Sequence, residues 1–262
     1  MTAACERLPC PTLQVWDATA WPEKPRVREL AANQIHVWRA SLELAPPLLV
    51  RMTSLLNGDE RERAKRLHFV DDRKRFIASH GVVRLLLSSY LDRPAGEIRF
   101  ECDSYGKPWI PQQRSDRIEF SLSHSGELAL VAVARGHRVG VDLELIRSNL
   151  EVQAIAKHSF AAEERLALAR LSGEAQLTAF FTCWVRKEAY LKGLGFGLNV
   201  PLDSFDVSPA LDLDRIAVRS LGGERREIWS LIKVAPGPGY VGALAAPALH
   251  PQVIKFSYNA DL

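Results

Sequence analysis

The sequence predicts an α+β protein built as two similar lobes, and three observations predict it. Short apolar runs of strand character alternate with longer segments whose apolar residues recur at helical spacing. The order strand, helices, strand cluster occurs once in the first half and again in the second, although no repeat is visible in the residues themselves. The 262 residues, 47% hydrophobic and 25% charged, suffice for one large core or two small ones. The expected lobes are residues 1–137 and 138–262, with the hinge near Gly136–Arg138.

Residues 1–34, rich in Pro, Ala and Trp, show no clear period and read as an irregular lead-in that partly wraps the body. Ile35–Leu42 is the first expected strand. Pro46-Pro47 opens an apolar helix reaching about Leu56, because a missing N–H costs nothing in a first helical turn. Asn57-Gly58-Asp59 breaks and caps, and a charged helix follows over Glu60–Leu67. Asp71-Asp72 is expected to cap a longer helix over Arg73–Leu91, on whose face Phe76, Val83, Leu86, Leu87 and Tyr90 recur, and Arg93-Pro94 ends it. Ile98–Cys102, Ile118–Leu122 and Leu128–Ala134 are strand-like, with polar turns between them. Val139–Leu145 opens the second half. A helical region over Leu150–Leu171 breaks near Phe160, and a strong helix over Glu174–Lys192 stops at the glycine-rich Gly193–Gly197. Ser204–Val207, Arg215–Val218, Ile228–Val234, Tyr240–Ala245 and Val253–Phe256 complete the expected strands.

Composition removes several function classes. A formal net charge of +3 is too small to argue for bulk binding to nucleic acid or to a membrane. Cys5, Cys10, Cys102 and Cys183 have neither CxxC nor metal spacing and suit a reducing cytoplasm, with Cys183 read as a core residue. No basic segment precedes an apolar run at the N-terminus, so no signal peptide is expected, and no window approaches the roughly 18 apolar residues of a membrane helix. The protein is expected to be cytoplasmic. Walker and GxGxxG phosphate loops are absent, and so is the GxSxG elbow of Ser-His hydrolases.

The chemistry lies in a few short segments. In Val139-Gly-Val-Asp-Leu-Glu144 the two acids stand two apart, so in a strand both point to one face. Such acids are also common as solvent-facing residues at a strand end. In Trp184-Val-Arg-Lys-Glu-Ala-Tyr-Leu-Lys192, Glu188 and Lys192 stand four apart on one helix face. That spacing is equally the routine surface ion pair, but the aromatic flanks Phe180, Phe181, Trp184 and Tyr190 suggest that its polar positions border a cleft. Three carboxylates and an ammonium suit Mg²⁺-dependent chemistry on a phosphate, where oxygen ligands hold the metal and the cations meet phosphate oxygens. Phe120-Ser-Leu-Ser-His-Ser-Gly126 reads as a strand ending in a polar turn able to donate to phosphate, or simply as a Ser-rich turn. Tyr105-Gly-Lys-Pro-Trp109 offers an aromatic, a turn glycine and a cation, or simply a surface turn. Arg61–Arg75 is the densest basic stretch, interleaved with Asp59, Glu60, Glu62, Asp71 and Asp72, so a solvated helix face is its plain alternative.

The order of these pieces resembles the Sfp-type 4′-phosphopantetheinyl transferases. That family runs from a basic helical segment through a GKP turn, an F(N)xSHS strand end and GxDxE to WxxKEAxxK. Here the pieces are Arg61–Arg75, Gly106-Lys107-Pro108, Phe120–Ser125, Gly140–Glu144 and Trp184–Lys192, continuing into Pro201–Asp206. Ser121 stands where the family often has Asn. Glu60 stands where some relatives have Lys, so that lysine's contact to the coenzyme's 3′-phosphate falls to another residue, with Arg63 the candidate. The resemblance implies a pseudo-twofold pair of lobes with the active site between them, coenzyme A bound on the N-terminal side and the metal on the C-terminal side. It implies transfer from coenzyme A to a serine of an acidic apo carrier protein by a monomer, with Mg²⁺ (Mn²⁺ as substitute) held by Asp142, Glu144 and Glu188. Glu188, Lys192 and His124 would be catalytic. Arg63, Arg75, Tyr105, Lys107, Pro108, Ser123, His124 and Lys192 would hold the coenzyme. The competing classes are a non-catalytic coenzyme A or nucleotide-binding module, whose acids would have no purpose, and a nucleic-acid-binding domain, which the interleaved acids disfavour. The slight positive charge and the aromatic-rich helix further suggest carrier docking through apolar and basic surface beside the cleft.

Overall fold

A computed structural model describes residues 29–111, 117–197, 200–207, 215–219, 228–247 and 251–258. The lead-in expected before residue 34 lies almost wholly outside the described residues, as do Cys5 and Cys10. The chain is mixed α and β. Strand β1 (Gln34–Ser41) is followed by helices α1 (Pro46–Leu55), α2 (Gly58–Arg66) and α3 (Val70–Leu91), the short pair β2 (Glu101–Cys102) and β3 (Pro108–Trp109), and the hairpin β4 (Ile118–Ser125) and β5 (Leu128–Arg135). Then come β6 (Gly140–Leu145), α4 (Val152–Ser159), α5 (Ala162–Ala169), α6 (Gly173–Leu194) and strands β7 (Arg215–Arg219), β8 (Ile228–Val234), β9 (Tyr240–Ala246) and β10 (Gln252–Tyr258).

Two four-stranded sheets form, in the orders β10-β1-β5-β4 and β6-β9-β8-β7. The last strand returns to the first sheet and lies parallel to β1, Val37 opposite Lys255. Side-chain alternation along the strands sorts the core into layers. On one face of the first sheet, Trp38, Val131, Val133 and Phe120 meet Val82, Val83, Leu86 and Leu87 of α3. On its other face, Ile35, Val37, Leu130 and Ala132 meet Val139, Val141, Leu143, Leu244 and Ala246 of the second sheet. The remaining face of the second sheet, with Trp229, Leu231, Ala243 and Ala245, receives Phe181, Val185, Ala189 and Tyr190 of α6. The stack therefore reads helix, sheet, sheet, helix. A one-residue slip of β6 would send Asp142 into the apolar layer, so this register is strongly specified.

Several expected elements differ, each for a local reason. Ile98–Cys102 is not one strand, because Arg84 draws the carbonyls of Ala95 (3.0 Å) and Ile98 (2.9 Å) to its buried guanidinium and only Glu101–Cys102 pairs with β3. Glu60 holds that guanidinium at 2.8 Å and also completes a capping box with Asn57. Glu60 is thus a structural residue. Asp71 and Asp72 do not cap α3: Phe69 stands at the N-cap, and the two acids lie in the first turn, bonded to Lys74 and Arg75. Ser204–Val207 is not a strand. A 3₁₀ turn over Leu202–Ser204 stands at its start, and the Leu202 and Phe205 carbonyls accept from Lys187 rather than from a neighbouring strand. Of the α6 aromatics, Phe180, Phe181 and Tyr190 are buried and Trp184 is half-buried against the same core, which leaves little docking surface there. No helix among the described residues is long and apolar enough to cross a membrane.

Candidate active site

The expected strand over 118–122 runs on to Ser125, and the turn comes only at Gly126-Glu127. This extension matters because Ser121, Ser123 and Ser125 alternate along β4 and all reach β6. The Ser121 hydroxyl accepts from the Val141 amide (3.1 Å), so a small polar group is what this position uses, whether Ser or Asn. Ser123 donates to Asp142 Oδ1 (2.6 Å) and Ser125 to Glu144 Oε2 (2.7 Å). Both acids of β6 therefore face one side, as the spacing of two predicts. The Ser-x-Ser-x-Ser alternation was the available sign of a strand face.

Helix α6 reaches the same acids through a backbone contact. A Cβ on Gly140 would overlap the Ala189 carbonyl oxygen and the Gly193 nitrogen, and one on Gly193 would overlap the Trp229 ring. Two glycines are needed where strand and helix touch this closely. The approach sets Lys192 Nζ 2.6 Å from Asp142 Oδ1 and 2.9 Å from Ser123 Oγ. Glu188, one turn earlier, feels the charges of Asp142 and Glu144. Burial first and those like charges second raise its carboxyl above the usual range, while Lys192 opposes them. Glu144 is also raised, by burial first and by Asp142.

His124 points away from this row. It lies at the α3 side of β4, where partial burial first, then the positive charges of Lys192 and Arg75, hold its imidazole below the usual histidine range. Arg75 is bonded to Glu127 (2.8 Å) and Asp72 (3.3 Å). Arg63 lies over the Phe76 ring at 5.6 Å, and His80 stacks on the same ring at 3.8 Å. Sequence reasoning singled out neither His80 nor Glu127, and it read Ser125 only as part of the Ser-His-Ser strand end. Of these only Ser125 had a legible signal. Tyr105 is exposed in the β2–β3 turn, its ring edge against Phe196 at 5.8 Å. Pro108 is exposed in β3, and Lys107 turns its ammonium onto the carbonyls of Val139 (3.2 Å) and Gly193 (3.5 Å). Thus Ser123, Asp142, Lys192, Glu144 and Glu188 share one site. Arg63, Arg75 and His124 stand toward α3, and the 105–108 turn stands at the end of α6.

Among the described residues, no set of three His, Cys, Asp or Glu side chains is gathered closely enough to hold a metal. Two of the three carboxylates instead take nearer partners, Asp142 bonding Lys192 and Ser123 and Glu144 bonding Ser125. The donor chemistry nevertheless fits a hard divalent cation. Asp142 Oδ2 is buried and has no hydrogen-bond partner among the described residues, an unusual state for a carboxylate oxygen, and two further acids stand beside it.

Lys187, adjacent to Glu188, belongs to the opposite face of α6. Its fully buried ammonium pairs with Glu164 at 2.8 Å and donates to the carbonyls of Leu202 (2.7 Å) and Phe205 (2.5 Å). Glu164 also accepts from the amides of Ala161 and Val207, each at 2.8 Å. One face of the motif thus builds the core while the next carries the chemistry.

Comparisons with known proteins agree along most of the chain. Residues 138–245 match the 4′-phosphopantetheinyl transferase superfamily, and residues 38–136 match the family described as 4′-phosphopantetheinyl transferase, N-terminal. The chain is 33% identical to 4′-phosphopantetheinyl transferase HetI of Nostoc over 226 residues, 86% of this chain and 92% of that protein. It is 29% identical to 4′-phosphopantetheinyl transferase ffp of Bacillus subtilis, covering 81% of this chain and 92% of that one. With 4′-phosphopantetheinyl transferase Sfp of Bacillus subtilis it shares 32% identity over 60% of this chain and 68% of that one.

Proposed function

The chain belongs to the 4′-phosphopantetheinyl transferase superfamily, and we propose that it transfers the 4′-phosphopantetheine group of coenzyme A to a serine of a carrier protein at the site built by Ser123, Asp142, Glu188 and Lys192. The observation that carries this reading is the convergence of three separate segments on one carboxylate. Ser123 of β4 and Lys192 of α6 both bond Asp142 of β6, whose second oxygen has no partner among the described residues.

In this reading Glu188, directly or through a water, takes the proton of the acceptor serine, and that oxygen attacks the β-phosphorus of coenzyme A in line. The bond from this phosphorus to the bridging pyrophosphate oxygen breaks, and 3′,5′-ADP leaves. Glu188 suits the role of base because burial and two like charges raise its proton affinity. Lys192 and Ser123 line the pyrophosphate position, the Ser123 proton being held by Asp142, while His124, Arg63 and Arg75 on the α3 side and Tyr105 and Pro108 of the β2–β3 turn face the rest of the coenzyme. Asp142, Glu144 and Glu188 would hold Mg²⁺, or Mn²⁺ in its place. Such an ion supplies charge neutralisation at the pyrophosphate. The proposal includes a monomer in the cytoplasm, an acidic apo carrier as acceptor, and two pseudo-twofold halves divided at 137/138 with the site between them, except that β10 crosses back to complete the first sheet. The two sheets packed face to face, with β4 bonded to β6, support that arrangement.

Mixing the protein with coenzyme A, Mg²⁺ and several apo carrier proteins is expected to add one phosphopantetheine to a carrier serine, read by intact-protein and peptide mass spectrometry. Binding of coenzyme A with no modified carrier would leave only a binding module. Glu188→Gln is expected to lower kcat by about 10²- to 10⁴-fold while changing coenzyme A affinity far less, because a base acts in the transition state. A variant in which only the KM for coenzyme A rises would remove the base assignment.

A further inference from the structure

The β2–β3 turn is closed on itself. Asp103 Oδ1 accepts from the amides of Tyr105 and Lys107, both at 2.9 Å, the Asp103 amide donates to the Lys107 carbonyl at 3.0 Å, and Gly106 sits at φ +84°. This geometry fixes the direction in which Lys107 leaves the turn, which is toward the end of α6. A Cβ built on Gly195, the left-handed residue that stops the helix, would lie 3.2 Å from Asp103 Oδ2 and 3.7 Å from Lys107 Cδ. Tyr105 meets the next residue, Phe196, at 5.8 Å. The Lys107 ammonium then reaches Val139 O at 3.2 Å and Gly193 O at 3.5 Å.

Those two carbonyls are well chosen. Gly193 lies in the last turn of α6, where carbonyls lack intrahelical partners and the helix end carries partial negative charge. Val139 precedes Gly140, the residue whose backbone touches Gly193. One cation thus ties the strand that carries Asp142 and Glu144 to the helix that carries Glu188 and Lys192, at the point where the two backbones meet. Burial pulls Lys107 down to about 8, the mark of an ammonium withdrawn from water into the protein.

We propose that Lys107 is a positioning residue, a staple from the β2–β3 turn to the β6–α6 crossing, and not a grip on a phosphate. Its consequence for rate rests on the transfer reading above, whereas the staple itself does not. Misplacing reacting groups by about 1 Å can cost on the order of 10²-fold in rate, so loosening this crossing acts on turnover rather than on ligand affinity.

The test uses the full chain with Lys107→Met, and Lys107→Gln alongside it as a variant that still carries an N–H donor. In the coenzyme-free protein, amide hydrogen exchange over residues 189–196 is expected to quicken by tenfold or more in Lys107→Met, with β1 and the middle of α3 unchanged. In turnover, kcat is expected to fall by about 10- to 100-fold with the Kd for coenzyme A within about threefold, and Lys107→Gln to recover part of both effects. Should Lys107→Met fail to fold, the same comparison of Lys107→Gln with wild type decides, at smaller amplitude. Unchanged exchange with a tenfold or greater rise in the Kd for coenzyme A would overturn the proposal and make Lys107 a ligand contact. If the wild-type protein modifies no carrier yet exchange quickens in the variant, the staple stands and the transfer reading falls. If the wild type transfers but exchange is unaltered, the reverse holds.

Discussion

Asp142→Ala is expected to cut the transfer rate by a thousandfold or more, about 4 kcal/mol of transition-state stabilisation, and to leave a folded protein. Asp142 is where three segments meet, with Oδ1 taken by Ser123 and Lys192 and Oδ2 turned toward no protein donor. Removing it takes away the proposed metal ligand and the anchor of Lys192 together. The fold survives for two reasons. The Lys192 side chain is 31% exposed and can return to water, and Glu144 and Glu188 are relieved of a like charge. The lost hydrogen bonds cost about 1–3 kcal/mol. Initial rates with a carrier at saturating coenzyme A and Mg²⁺, read beside a urea midpoint, check both halves. A near wild-type rate would remove Asp142 from the machinery.

Lys187→Ala is expected to show the opposite pattern, a loss of about 3–5 kcal/mol of stability, because a buried carboxylate is left without its cation. Lys187 and Glu164 have side chains 0% and 1% exposed, and between them they bond four backbone groups of α5 and residues 202–207. For a chain of this size the drop corresponds to roughly 10 °C in Tm. The double variant Lys187→Met, Glu164→Leu is expected to recover much of it, since an apolar pair leaves no uncompensated charge. Thermal and denaturant unfolding of wild type, Lys187→Met, Glu164→Leu and the double variant give the coupling directly. A single-variant loss under about 1 kcal/mol would mean that Glu164 finds another partner or takes up a proton at low cost.

The contrast between Lys187 and Glu188 shows where sequence reading stops. Period-two spacing was enough to place Asp142 and Glu144 on one face, and the helical period was enough to place Glu188 and Lys192 on another. The strand and helix order was equally legible, because each segment has its own apolar period and its own start or stop signals: Pro46-Pro47, the Asn57-Gly58-Asp59 break and the glycines after Lys192. Two expected strands failed where a side chain from elsewhere captures backbone groups. Arg84 takes the carbonyls of the expected strand at 98–102, and Lys187 those around 202–205. No local pattern announces such a capture.

By itself the sequence determined the elements, the order of the motifs and, through that order, the family, because these depend on residues near one another in the chain. Only the tertiary structure decided which cation meets which acid. It put Lys192 on Asp142 and Lys187 on Glu164, turned Lys107 onto carbonyls, set His124 toward α3, and brought β10 back beside β1. Those pairings join residues as many as 218 positions apart. They follow from which faces the sheets must bury and from the close approach that Gly140 and Gly193 permit, and both are properties of the packed whole.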